Sequence, residues 1–287
     1  MAAGVDHALL REYAFSDEDF QQIRRLVKER IGIHLAAGKR ELVYGRISRR
    51  LRALGLSGFG EYLQRLEQGD VEELQQFCNA ITTNLTAFFR EAHHFRFLAR
   101  ELLPALQRDN ADTRRLRIWS AGCSSGEEPW SIAMVMLETL GALRQWDLRI
   151  LATDVDTGML RQARRAVYVG ERLEKVEGER LLRWFEPGTE PRQYRVCEEL
   201  RRLVSFKALN LVGPWPMRGP FDVIFCRNVL MYFSRETQRE IVRRMASLQR
   251  TGDYLILGHS ESLLDVSNQY RLAGQTVYRR RPDGSVR

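Results

Sequence analysis

No uncharged apolar run in this chain approaches the roughly 18 residues that a bilayer core requires. The start, MAAGVDHALLREYAF, has no basic region followed by an apolar core, so no leader is expected. A cytoplasmic protein without direct membrane insertion is expected. Cysteine is scarce: Cys78, Cys123, Cys197 and Cys226 are widely scattered, with no C-x-x-C pair and no histidine at ligand spacing. That argues against a disulfide framework and a zinc site, so free thiols and no metal are expected. Acidic residues are outnumbered, 37 against 45 basic, for a net charge of +8. Such an excess favours an anionic partner, whether nucleic acid, a membrane surface or an acidic protein, and the total cannot choose among them.

What is present is an ordinary globular balance, 44% hydrophobic and 29% charged over 287 residues, enough for two compact units. From Phe15 to about Phe77 apolar residues recur at helical spacing, as in Phe20, Ile23, Leu26 and Val27, then Ile47, Leu51 and Leu54. Ser16 with Asp19 reads as a capping box, and Gly32, Gly55 and Gly69 divide the segment into three or four helices. After Arg114 short apolar runs alternate with amphipathic helices: Leu116 to Ser120, Leu148 to Thr153, Leu203 to Leu209, Phe221 to Cys226 and Tyr254 to Gly258. This alternation predicts a parallel sheet covered by helices on both faces. Pro187-Gly188, Pro191 and the alternation at Tyr194 to Val196 suggest a small antiparallel insertion.

Three strand ends carry polar or small residues that could do chemistry. The segment from Leu116 through Gly122-Cys-Ser-Ser-Gly126 to Pro129 runs from a strand through a small-residue loop into a helix, where free N–H groups can meet a ligand. It lacks the third glycine of a dinucleotide fingerprint, which lowers a nicotinamide-dependent reading, and a tight turn with no ligand is equally open. The next strand ends at Asp154, whose carboxylate could accept both hydroxyls of a ribose or could cap the following helix, although Asp156 is the better cap candidate. Asn228 and Tyr232 follow the strand Phe221 to Cys226, at the end where open α/β sheets bind ligands. No Asn-Pro-Pro-aromatic run occurs there, which argues against methylation of adenine or amide nitrogens. Asn84, Thr86 and Arg90 could line a cleft, and His93 and His94 are expected on a helix surface.

Five ordered strings, TTNLTAFFREAHHF, WSAGCSSGEEPWSIA, ATDVD, FCRNVLMYF and GHSES followed by GQTVY, resemble the CheR family of chemotaxis receptor methyltransferases, from Phe15 to Tyr278. The resemblance implies a class I methyltransferase-like, doubly wound, mostly parallel sheet with an inserted antiparallel subdomain, behind an N-terminal all-α domain. The boundaries expected are 1–80 for the helical domain, 81–287 for the catalytic domain and about 167–202 for the insertion.

It also implies transfer of a methyl group from S-adenosyl-L-methionine to receptor glutamates, with S-adenosyl-L-homocysteine as product. The matching cofactor positions are Asn84, Thr86, Arg90, Glu128, Asp154, Asn210, Leu211, Asn228 and Val229, with Asp154 on the ribose and Arg90 and Tyr232 near the transferred methyl. The partners implied are the cytoplasmic helices of chemotaxis receptors, met by a monomer, with no role for nucleic acid. Some members dock their antiparallel subdomain on a receptor C-terminal pentapeptide; the loop around Pro187 to Gln193 is shorter here, which leaves that docking open. Lys39 to Arg52 holds six basic residues against Glu41, and Arg46, Arg49 and Arg50 would share one helix face as a docking ridge for an acidic helix.

Overall fold

A computed structural model describes residues 11–141 and 146–282; the first ten residues, part of the stretch read as lacking a leader, lie outside it. The chain divides into two compact units, Met1–Thr83 and Asn84–Arg287.

The first unit contains α1 (Asp17–Ile31), α2 (Arg40–Leu54), α3 (Phe59–Glu67) and α4 (Val71–Ile81). Ser16 and Asp19 close the expected capping box on α1, and Gly32 and Gly55 end α1 and α2 in the left-handed conformation that glycine adopts without a Cβ penalty. Ile23, Val27, Ile47, Leu51, Tyr62, Leu66 and Phe77 meet in a fully buried core, as their helical spacing requires.

Two basic residues of α2 serve this packing rather than solvent. The Arg50 Nε donates to Oε1 of the buried Glu73 at 3.0 Å, and the Tyr62 hydroxyl donates to the same oxygen at 2.7 Å. Arg46 donates to the carbonyls of Ile81 and Thr82, satisfying acceptors at the end of α4. Of the three arginines expected to form a ridge, Arg49 alone is exposed.

The second unit begins with α5 (Ala92–Phe97) and α6 (Leu103–Asp109). Then come β1 (Arg115–Ala121), α7 (Glu127–Leu140), β2 (Asp147–Asp154) and α8 (Thr157–Arg165). Next are β3 (Val167–Val169), α9 (Gly178–Trp184), β4 (Phe185–Pro187), β5 (Gln193–Val196) and α10 (Glu198–Arg201). The chain continues through β6 (Val204–Ala208), β7 (Val223–Cys226), α11 (Arg235–Ser247), β8 (Tyr254–Leu257), β9 (Tyr270–Gly274) and β10 (Val277–Arg280).

The seven-stranded sheet has the order β6-β2-β1-β7-β8-β10-β9, parallel as far as β8 and antiparallel at β10 and β9. A separate antiparallel sheet, β3-β5-β4, is the insertion. Both faces of the main sheet are covered. In β1 and β7, Ile118, Val223 and Phe225 face one cluster with Ile132 and Met136 of α7, while Trp119, Ile224 and Cys226 face another with Ile241 and Met245 of α11. The two-residue period of a strand sends alternate side chains to opposite cores, which is why these strands read as unbroken apolar runs. No helix among the described residues is long and apolar enough to cross a membrane.

Candidate active site

The site lies in the second unit, at the carboxyl ends of β1, β2 and β7, and begins with the turn after β1. The N–H groups of Gly122 and Cys123 both donate to the Thr153 carbonyl, at 2.8 and 2.9 Å, and Ser124 N–H donates to Asp154 Oδ2 at 2.7 Å. Gly122 and Gly126 are left-handed, and a Cβ on either would collide, with Val229 and with the Tyr168 hydroxyl respectively. The glycines thus let two neighbouring elements approach the turn. On its outer side the Tyr168 hydroxyl donates to the Ser125 carbonyl at 2.7 Å, and Arg172 pairs with the buried Glu127 and donates to Ser125 Oγ at 3.0 Å.

Asp154 is buried, with Oδ1 accepting from Asp156 N–H at 2.9 Å while Oδ2 takes Ser124. Burial pushes its pKa up to about 6, against the pull of those N–H groups. Each carboxylate oxygen can accept more than one hydrogen bond, so acceptor capacity remains for hydroxyl donors. Asp156 caps α8 by accepting from Met159 N–H, as its position suggested, and also accepts from Asn84 Nδ2 at 2.7 Å. Asn84 in turn offers its carbonyl to Ser124 Oγ at 3.3 Å. The structure therefore brings Asn84 and Asp154 together. Leu209 N–H donates to the Asp154 carbonyl, so Asn210 and Leu211 leave β6 beside the same strand end.

A second group forms around Arg227, which the sequence reading did not single out. This arginine is 5% exposed and pairs with Glu128 at 2.9 Å and Glu91 at 3.3 Å, while donating to the Arg90 carbonyl. Burial raises the pKa of Glu128, and Arg227 and Ser120 oppose that shift. Burial also acts to raise Glu91, but His259, Arg227 and Asn228 outweigh it and hold the carboxyl down at about 2. Asn228 and Val229 sit on a turn fixed by Glu261: Oε2 accepts from Gly258 and Asn228 N–H, and Oε1 from Val229 and Met231 N–H. Sequence reasoning missed Glu91, Arg227, His259 and Glu261. The signal available was a charged residue inside or beside an apolar strand end, which must find a partner when buried.

Arg90 and Tyr232 flank this second group. The Arg90 guanidinium donates to the Leu85 carbonyl at 2.5 Å, and Tyr232 closes a single helical turn after Val229. Among the described residues no hydrogen bond joins the Arg90 and Tyr232 side chains; the Arg90 carbonyl accepts from Arg227, and Tyr232 N–H donates to the Val229 carbonyl at 3.2 Å. Thr86 is half-buried between Asn84 and Arg90.

The expectation for His94 needs correction. It is fully buried, not on a helix surface, with Nε2 at 3.1 Å from the Gln275 carbonyl and 2.9 Å from Thr276 Oγ1. Burial, with Arg227 nearby, pushes it down to about 3, so it stays neutral at ordinary pH. Glu91, His93 and His94 place ligand atoms within 4.8 Å of one another, yet Glu91 is already balanced by Arg227, and no metal is assigned there.

Comparison with known proteins gives a consistent result. Residues 84–279 match the family model described as CheR methyltransferase, SAM binding domain, and residues 18–82 match CheR methyltransferase, all-alpha domain. The chain is 47% identical over 271 residues to chemotaxis protein methyltransferase 2 of Pseudomonas aeruginosa, covering 93% of this chain and 95% of that protein. It is 46% identical over 272 residues to the chemotaxis protein methyltransferase of Escherichia coli K12, covering 92% and 91%. The Salmonella typhimurium counterpart is 44% identical over 277 residues, covering 94% and 92%.

Proposed function

The chain belongs to the CheR methyltransferase family, and from that premise we propose how this S-adenosylmethionine-dependent methyltransferase acts on chemotaxis receptors. The acceptor is a receptor glutamate, which becomes a methyl ester. When bound, S-adenosylmethionine supplies a methyl group on a sulfonium and leaves as the neutral thioether.

The observation that carries the site assignment is Asp154 at the end of β2, buried yet retaining acceptor capacity, beside a glycine turn that admits close approach. A ribose fits that donor and acceptor pattern. Asn84, Thr86, Glu128, Asn210, Leu211, Asn228 and Val229 complete the cofactor contacts. A free glutamate has a pKa near 4.3, so at neutral pH the acceptor is ionised and no general base is needed. The remaining work is alignment of oxygen, carbon and sulfur with water excluded. Arg90 and Tyr232 orient the carboxylate. Arg90, held to the Leu85 carbonyl, is fixed in direction and positions the acceptor without wholly neutralising it.

Receptor docking falls to the outward side of α2. Since Arg46 and Arg50 hold α4 and Glu73, the ridge narrows to Arg49 with the exposed Lys39, and the β3-β5-β4 sheet is the second docking surface. We propose that the enzyme works as a cytoplasmic monomer. Arg49→Glu should lower receptor methylation and flatten its loss with salt, because the attraction removed is one that salt screens over about 8 Å at physiological ionic strength. S-adenosylmethionine affinity should not change. Equal methylation by variant and wild type would move docking to the antiparallel sheet. The chemical class is tested with labelled S-adenosylmethionine and receptor-containing membranes. Alkali should release the label as methanol from a receptor-sized band; alkali-stable label would refute an ester.

A further inference from the structure

We propose that Glu91, with Arg227 and His259, is a positioning device for the catalytic segment, fixing the backbone on which Arg90 is carried. The proposal rests on the function given above and adds residues to it. Arg90 stands between two non-glycine residues in the left-handed region, Phe89 at φ 51° and Glu91 at φ 58°. Such conformations cost of order 1–3 kcal/mol each and persist only where surroundings over-determine them. Here the surroundings are the Glu91 carboxylate and its partners. Oε1 accepts from His259 Nδ1 at 2.8 Å and Asn228 Nδ2 at 3.3 Å; Oε2 accepts from His259 N–H at 3.0 Å and pairs with Arg227 at 3.3 Å. Arg227 returns to the same turn by donating to the Arg90 carbonyl.

The turn that carries Arg90 is therefore bolted to the ends of two adjacent strands, β7 through Arg227 and Asn228, and β8 through His259. Asn228, itself left-handed at φ 58°, is gripped from one side by Glu91 and from the other by Glu261. One carboxylate thus sets the spacing between the residue assigned to orient the acceptor and the turn assigned to the cofactor. A misplacement of about 1 Å at such a site can cost on the order of a hundredfold in rate. By contrast, Glu91 makes no hydrogen bond to Asp154 or the Ser124 turn and reaches the cofactor contacts only through the Asn228 side chain at 3.3 Å, so cofactor affinity should respond much less.

The test uses the full chain, receptor membranes and S-adenosylhomocysteine as binding probe. Glu91→Gln should lower kcat at least tenfold and keep the S-adenosylhomocysteine Kd within about threefold, both measured below the variant's lowered Tm. Glu91→Asp, which keeps the charge but shortens the reach, should recover only part of the rate. His259→Ala removes one donor from a side chain that is 66% exposed and leaves the fold in place; its kcat should fall about threefold. If Glu91→Gln does not fold, His259→Ala and Glu91→Asp decide. Wild-type kcat in these variants, or a rate loss matched by an equal loss of affinity, would overturn the proposal. A wild-type protein that methylates no receptor would instead overturn the function on which it rests.

Discussion

The turn after β1 and the turn after β7 lie at the ends of paired strands and are held by opposite means. The first is fixed by near neighbours in the sheet: Thr153 and Asp154 bind its N–H groups, and Gly122 and Gly126 supply the left-handed conformations. The second contains no glycine. Its left-handed residue is Asn228, and its N–H groups go to Glu261, 33 positions away from Asn228. A turn built on buried carboxylates is rigid but depends on each of them, because a buried donor without a partner costs about 1–3 kcal/mol.

The most damaging way to break this contrast is Glu261→Ala, which strips acceptors from the N–H groups of Gly258, Asn228, Val229 and Met231 together. Folding stability should fall by about 3 kcal/mol or more, read from denaturant unfolding. A loss below about 1 kcal/mol would mean that the β7 turn holds itself.

Asp154 gives the next largest effect, on binding. Its pKa of about 6 has a definite sign. Hydroxyl donors need the ionised form, so cofactor affinity should be flat from pH 8 to 7 and weaken as pH falls through 6, by about tenfold near pH 5. Because burial holds the folded pKa above the ordinary aspartate value, protonation of this group relieves a folded-state penalty, so the weakening is not unfolding driven by Asp154. Calorimetry across that range checks it, and Asp154→Asn should be weak at every pH; a wild-type profile that stays level would detach Asp154 from the ligand.

The smallest effect belongs to Arg172→Ala on the outside of the β1 turn. Its side chain is 42% exposed, so its pairing with Glu127 is discounted for solvent, and cofactor affinity should weaken only about threefold. A loss as large as that of Asp154→Ala would show that the outer Arg172–Glu127 pair holds the β1 turn as firmly as Asp154 does.

The same contrast explains what the sequence disclosed. β1, β7 and β8 were legible because burial on both faces leaves nearly unbroken apolar runs, β2 and the half-exposed edge strand β6 by their shorter apolar stretches, and Ser16 and Asp156 announced their helix starts by local capping chemistry. β9 and β10 were not read as strands. β10 carries the buried Arg280, and β9 is an edge strand with exposed Arg271 and Leu272. In the site, Asp154 and the glycine turn were visible, being defined within a few residues. Glu91 was not, since its partners Asn228 and His259 lie 137 and 168 positions away. The basic ridge on α2 was visible as charge, but the burial of Glu73 that claims Arg50 is a tertiary fact.

The central claim is a division of labour: Asp154, the β1 turn and the Asn228-Val229 turn hold the cofactor, while Arg90 and Tyr232 orient the acceptor. Its most direct test measures S-adenosylhomocysteine Kd and saturating kcat in parallel for Asp154→Ala and Arg90→Lys. Losing a charged acceptor should cost the first variant about 1.5–3 kcal/mol of affinity, roughly 10- to 150-fold, with kcat little changed. An ammonium cannot reproduce the guanidinium fork, so the second should lose at least about tenfold in kcat with Kd nearly intact. If the two variants lose affinity and turnover in the same proportion, the division does not exist.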